Sequence, residues 1–117
     1  MEPQEDIQGR TAAVFARNRF GGPTRPAESR VNVGTSVTPL IGNNPRRVFW
    51  MAVNRTPNEG ALGLDPTLTF ANGILLGPNG GFASMAVEED GEAVGYAVFA
   101  IQNIAGGTWY VLEVMQV

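Results

Sequence analysis

Turn-forming residues recur along most of this chain at intervals of roughly ten residues, and they limit what can fold between them. Fifteen glycines and eight prolines are spread over 117 residues, and with asparagine they cluster at 42–45, 56–60 and 77–81. These clusters favour tight turns, because glycine and asparagine accept positive φ angles and proline fixes its own φ. The short segments between the turns predict strands and no long helix.

From residue 30 onward the pattern predicts seven or eight short strands. Residues 46–54 form a continuous apolar run, typical of a strand covered on both faces, and residues 108–116 alternate between two faces. Many short strands separated by turns indicate an all-β protein, and we expect an antiparallel β-sandwich or jelly-roll-like domain. The other predicted strands are 30–41, 61–64, 67–70, 74–76, 82–87 and 93–101.

Residues 1–29 differ from the rest and predict an extended N-terminal arm with at most a short helix, preceding a β domain at 30–117. The arm contains three prolines and a Gly-Gly-Pro break at 21–23. A flexible tail is the plainer interpretation. We favour an arm that becomes ordered on a partner, because apolar side chains are costly to leave in water; those in the arm include Val14, Phe15 and Phe20.

Cysteine, histidine and lysine are absent from the sequence. Without cysteine there is no disulfide, thiolate nucleophile or zinc ribbon, and without histidine the commonest general base and metal ligand are missing. Without lysine there is neither Schiff-base chemistry nor a phosphate-binding P-loop. Carboxylates, two tyrosines and arginine remain. We therefore expect a protein that is not an enzyme, with no catalytic residue, cofactor or metal.

The carboxylates give only weak site candidates. Four acidic residues at 88–92 form an exposed turn, and solvation of that turn is a simpler account than calcium binding. Asp65 and Glu113 are the acids in strand-like surroundings, but nothing in the sequence makes them face each other as a glycosidase pair. The glycine-rich segment 77–81 lacks the lysine of a phosphate loop and predicts a hairpin turn.

Basic charge is supplied entirely by eight arginines, seven of which lie before residue 48, whereas residues 48–117 carry one arginine and seven acids. An acidic β domain and a pI near 4.8 disfavour nucleic acid as a partner. Arginine–carboxylate contacts with a protein partner fit better. Arg46 and Arg47 follow an Asn-Pro turn, and they anchor either that turn or an interface. The predicted partner-binding residues are Val14, Phe15, Arg17, Arg19, Phe20, Arg25, Arg46 and Arg47.

The ends and apolar runs of the sequence predict no membrane partner. The first residues are acidic without an apolar region behind them, so we expect no signal peptide. No apolar run approaches the roughly 20 residues of a membrane helix. A domain of this size gains stability from oligomerisation or from docking onto a larger assembly.

Several motifs between residue 31 and the C-terminus resemble those of a known group. They are Val-Asn-Val-Gly-Thr-Ser-Val-Thr-Pro-Leu-Ile at 31–41, Asn-Pro-Arg-Arg at 44–47, Leu-Gly-Leu-Asp-Pro-Thr-Leu-Thr at 62–69, Asn-Gly-Ile-Leu-Leu-Gly-Pro-Asn-Gly-Gly at 72–81 and Gly-Gly-Thr-Trp-Tyr-Val-Leu-Glu-Val at 106–114. The pattern is similar to the small β-domains of tailed-phage virion proteins, which occur in capsid decoration (cement) proteins and head fibres. The arm has no counterpart in this resemblance.

The resemblance implies a structural protein of a bacteriophage virion, on the capsid surface of the particle and in the host cytoplasm during assembly. Its implied partners are the major capsid protein and copies of itself, as a homotrimer. We expect a capsid decoration protein that stabilises the shell through its β domain and its arm. The alternatives are a carbohydrate-binding adhesin module of a fibre or tail, using Trp109 or Tyr110, and a minor head–tail joining protein.

Overall fold

Eight strands form two four-stranded antiparallel sheets in a computed structural model that describes residues 22–117. This confirms the predicted all-β sandwich. The strands are β1 (Thr24–Asn32), β2 (Thr38–Ile41), β3 (Arg47–Asn54), β4 (Gly60–Gly63), β5 (Ile74–Leu76), β6 (Gly81–Ala86), β7 (Val98–Gln102) and β8 (Thr108–Gln116). A short helix α1 (Val87–Asp90) and a 3-10 helix (Gly91–Gly95) connect β6 to β7.

The first sheet has the order β1-β8-β3-β6, and the second has the order β2-β7-β4-β5. In the first sheet, β1 pairs with β8 over all nine of its residues, from Thr24 opposite Gln116 to Asn32 opposite Thr108. We call the end of the sandwich where β1 begins, β8 ends and β3 begins the Arg47 end. The opposite end, where β3 finishes and β8 begins, is the Asn54 end.

The core lies between the sheets and is organised by two tryptophans. Trp50 on β3 and Trp109 on β8 are fully buried, and they pack among aliphatic side chains of both sheets such as Val111 on β8 and Leu62 on β4. Burial alternates along β3, so its outward residues are half-buried and the strand is fully covered on one face only. A second, smaller cluster of buried residues consists of Ala61, Leu68 and Ile101, and Phe70 and Phe99 pack against it.

Two predicted strands adopt other structures. Residues 67–70 do not form a strand. The Asp65 side chain accepts hydrogen bonds from the backbone and hydroxyl of Thr67, and Leu68 packs in the smaller cluster. Residues 93–95 of the predicted strand 93–101 are the end of the 3-10 helix, and β7 begins only at Val98. Gly95 allows this path, because a Cβ there would lie 2.8 Å from the Asn44 carbonyl oxygen.

The N-terminal boundary also differs from the expected one. Strand β1 starts at Thr24, so residues 24–29 of the predicted arm belong to the first sheet and the boundary at residue 30 falls inside a strand. The predicted strand 30–41 divides into the end of β1 and the separate strand β2, which pairs in the second sheet. The prolines and glycines in 21–26 predict a break in regular structure. Pro26 nevertheless lies within β1, because β1 is an edge strand and proline is tolerated there.

Gly60 on β4 offers a test of how tightly the two sheets pack. A Cβ at this position would overlap the Trp109 ring, whereas a Cβ at Gly77 would meet no atom within 4 Å. We expect Gly60→Ala to lower the free energy of unfolding by about 2 kcal/mol through overpacking, and Gly77→Ala to change it by less than about 0.5 kcal/mol. Urea unfolding measures both. Equal effects of the two substitutions would contradict this account of the packing.

Candidate functional site

Arg47 is a buried cation at the beginning of β3, and its side chain is only 1% exposed. Its Nε donates to Glu113 Oε1 on β8 at 2.8 Å. Its Nη1 donates to the carbonyl oxygens of Val94 and Tyr96, each at 3.2 Å, and its Nη2 donates to the carbonyl of Gly42. The guanidinium therefore connects β8, the β2–β3 loop and the link before β7, and internal contacts engage all three of its nitrogens.

These contacts decide between the two roles predicted for the arginine pair. Arg47 anchors the turn and the link, and its buried side chain does not reach a partner. Arg46 is exposed, and its backbone makes two hydrogen bonds: its N–H donates to Asn44 Oδ1 and its carbonyl accepts from the N–H of Gln116. Arg46 therefore keeps its side chain at the surface of the Arg47 end.

A groove of about 600 Å³ opens at the Arg47 end, between the β2–β3 loop and the helical link. It is within the size range of protein ligand sites. Tyr96, which is 46% exposed, donates a hydrogen bond from its hydroxyl to Glu92 Oε1 at 3.3 Å on one wall. Arg47, the cation that the described residues contribute to the lining, is paired with Glu113. The lining residues are Asn43, Pro45, Arg47, Val87, Gly91, Glu92, Val94, Gly95 and Tyr96.

The acidic residues predicted to form a hairpin turn lie on the helical link beside this groove. Glu88, Glu89 and Asp90 occupy α1, and Glu92 lies in the 3-10 helix that follows. Asp90 Oδ2 accepts a hydrogen bond from the Ala86 N–H at 2.9 Å, which holds the start of the link. Within residues 22–117 no group of three or more acidic side chains is arranged to hold a metal ion. The link gives this side of the groove a negative charge.

A second buried polar network closes the Asn54 end. Asn54 Nδ2 donates to the carbonyls of Asn58, Leu76 and Gly77, and its Oδ1 accepts from the Thr56 hydroxyl at 2.7 Å. Buried Gln102 accepts a hydrogen bond from Trp109 Nε1 at 2.8 Å. Its own Nε2 donates to the carbonyls of Ile104 and Gly106. These side chains fix the loops at this end by satisfying their buried carbonyls.

The remaining predicted partner-binding residues fall into two groups. Arg25 is exposed on the edge strand β1 and is free of the core. The other five lie outside the described residues: Val14, Phe15, Arg17, Arg19 and Phe20.

The aromatic residues considered for carbohydrate binding are not a free platform. Trp109 is fully buried in the core, so it does not stack on a sugar. The hydroxyl of Tyr110 donates to Glu28 Oε2 at 3.0 Å, and the Arg30 guanidinium lies 5.7 Å from the centre of its ring. The pKa of Tyr110 is raised, mainly because its hydroxyl is partly shielded from solvent. The hydrogen bond to Glu28 and the negative charge of that carboxylate raise it further. Tyr110 thus fastens β1 to β8.

Asp65 and Glu113 do not form a catalytic pair. Asp65 is exposed in the loop after β4, and hydrogen bonds from the backbone and hydroxyl of Thr67 lower its pKa. Glu113 lies on β8 of the other sheet and is paired with Arg47. The two carboxylates therefore have separate structural roles.

The sequence did not reveal the groove. Val94, Tyr96, Val98 and Ala100 alternate as in a strand, and this pattern concealed the helical link that forms one wall. The two glycines that bound the 3-10 helix, Gly91 and Gly95, were the available signal, since glycine weakens a strand interior.

Comparison with protein-family models, curated proteins and solved structures finds no match to this chain. Among residues 22–117, no helix is long and apolar enough to span a membrane.

Arg47→Met should be strongly destabilising, because it leaves Glu113 and three backbone carbonyls without their donor. We expect a loss of about 3–5 kcal/mol in the free energy of unfolding, measured by urea denaturation. The double variant Arg47→Met/Glu113→Gln should recover only a minor part, since the carbonyls stay unpaired. Arg46→Met is the matched control and should change stability by less than about 0.5 kcal/mol.

Tyr110 offers a test of the contact between β1 and β8. Glu28→Gln should lower the pKa of Tyr110, because the carboxylate raises it, and Arg30→Gln should raise that pKa further. Tyrosinate absorbance measures this in a Tyr96→Phe background, which leaves one titrating tyrosine. Because the folded-state pKa lies above the unfolded value, this contact stabilises the fold fully below about pH 10, the unfolded value, and loses that effect as pH rises through the folded-state pKa. An unchanged pKa in Glu28→Gln would contradict the contact.

Proposed function

We propose that this protein is a structural protein of a tailed-phage virion, a capsid decoration protein that binds the outer shell and stabilises its lattice. The observation that carries the proposal is the attachment of the N-terminal segment, residues 1–21, to the domain. That segment leads within three residues into β1, which is paired along its whole length with β8. A pull on the segment along the strand is shared by the entire ladder of hydrogen bonds, as a shell tether requires.

The surface of β1 supports a role in protein contacts. Seven of its nine residues are exposed, and they include Arg25 and Arg30. An exposed edge strand with arginines suits bidentate contacts with carboxylates of a shell protein. The N-terminal segment adds Arg17 and Arg19 together with Phe15 and Phe20. In this proposal the apolar side chains insert between capsid subunits and the arginines pair with capsid carboxylates.

Self-association would use the opposite edge of each sheet. Strands β5 and β6 are edge strands, and three large apolar side chains on them are exposed: Ile74 (58%), Leu75 (63%) and Phe82 (63%). Exposed apolar residues of this size commonly mark contacts between proteins. A homotrimer on the shell would bury them and would place three N-terminal segments on neighbouring capsomers, so that modest contacts add through multivalency.

The alternative of an adhesin module has less support, because Trp109 is buried and Tyr110 is engaged with Glu28. In this proposal the protein holds shell subunits together and catalyses no reaction. Its proposed location is the capsid surface of the particle, reached from the host cytoplasm during assembly.

The proposal is tested with phage particles from the strain that encodes this chain. Quantitative mass spectrometry of purified particles should find the chain in many copies, and particles lacking it should rebind the purified full-length protein. Deleting residues 2–21 should abolish rebinding while preserving β1, whereas Ile104→Ser, at the Asn54 end, should rebind normally. Absence of the chain from purified particles would overturn the proposal, and full rebinding after the deletion would overturn the tether.

A further inference from the structure

The groove at the Arg47 end lies beside the point where the N-terminal segment joins the sandwich. The Pro23 carbonyl accepts a hydrogen bond from the N–H of Val117, and the adjacent N–H of Gln116 donates to the carbonyl of Arg46. Arg46 stands between Pro45 and Arg47, both of which line the groove. One strand, β8, separates β1 from β3, so the chain enters the sandwich about 10 Å from the groove wall.

The chemistry of the groove matches part of the N-terminal segment. Pro45, Val87, Val94 and Tyr96 give the groove an apolar lining, and the helical link beside it carries four acidic residues. Residues 10–20 contain three arginines, no acid and the apolar side chains of Val14, Phe15 and Phe20. A cationic segment with aromatic side chains is complementary to an acidic groove with an apolar floor.

We propose that this groove binds residues 10–20 of the same chain. Phe20 precedes Pro23 by three residues, which span about 10 Å when extended, and Phe15 has several more residues of reach. A tether this short gives the segment an effective concentration in the millimolar range, far above that of a second copy in dilute solution. Tyr96 and Val87 offer apolar contacts to an aromatic side chain, and Glu89 and Glu92 offer carboxylates to the arginines.

This contact goes beyond the proposed shell binding, because it forms in the isolated protein. It gives the segment an internal site when no partner is present, and a partner that takes the segment must compete with the groove. The groove is thus a specificity element, since only a surface that binds residues 10–20 more tightly draws them away.

Trypsin provides the test, because the chain has no lysine and is cut only after arginine. In the full-length protein we expect slow cleavage after Arg17 and Arg19, at a rate that is constant over about a hundredfold range of protein concentration. Tyr96→Ser in the groove, and Phe15→Ala/Phe20→Ala in the segment, should each speed this cleavage about tenfold. Ile104→Ser removes an exposed apolar side chain at the opposite end and should leave the rate unchanged.

Cleavage after Arg55 reports separately on folding, because its neighbours Asn54 and Thr56 are buried and the chain there must open before trypsin can bind. Faster cleavage after Arg17 and Arg19 with the Arg55 rate unchanged supports the groove contact. Rapid cleavage in the wild-type chain, or rates unaffected by the groove and segment variants, would overturn it. Protection that increases with protein concentration would also overturn it, because the occupant would then be the segment of a second copy.

Discussion

The fold depends on one buried cation. Arg47 brings its guanidinium to Glu113 and to the carbonyls of Gly42, Val94 and Tyr96, which belong to three different parts of the chain. A buried charge is tolerated only when it is paired and hydrogen-bonded, so this geometry has few alternatives. Once it forms, the β2–β3 loop and the helical link are fixed, and the groove between them has a defined shape.

The Asn54 end is closed by the same principle with neutral groups. Asn54 and Gln102 satisfy loop carbonyls that would otherwise lose their hydrogen bonds to water on burial. Among residues 22–117, the two tryptophans between these ends are the largest fully buried side chains. Buried polar residues thus hold both ends of a small sandwich that has neither disulfide nor lysine. The surfaces available for contact with a partner are the sheet edges and the Arg47 end.

The Arg47 end unites the features relevant to function. Strand β1 begins there, the acidic link lies there, and the groove opens there. A tether that is anchored by a full strand and held beside a groove on its own domain would be stored in the free protein and used in the assembled one. Because both states involve residues 10–20, the balance between them would set the affinity for a shell partner.

The sequence by itself determined the all-β class, the turns at 42–45 and 77–81, and the strands that became β3, β5, β6 and β8, because turn chemistry and two-residue alternation are local properties. It did not determine the structure of 67–70 or 93–97, where an Asp65 turn and contacts with Asn44 override the alternation. Nor did it place Arg47 inside, since a surface arginine and a buried one look alike until Glu113 and three carbonyls converge on it. That convergence is a long-range property, and only the tertiary structure decided it.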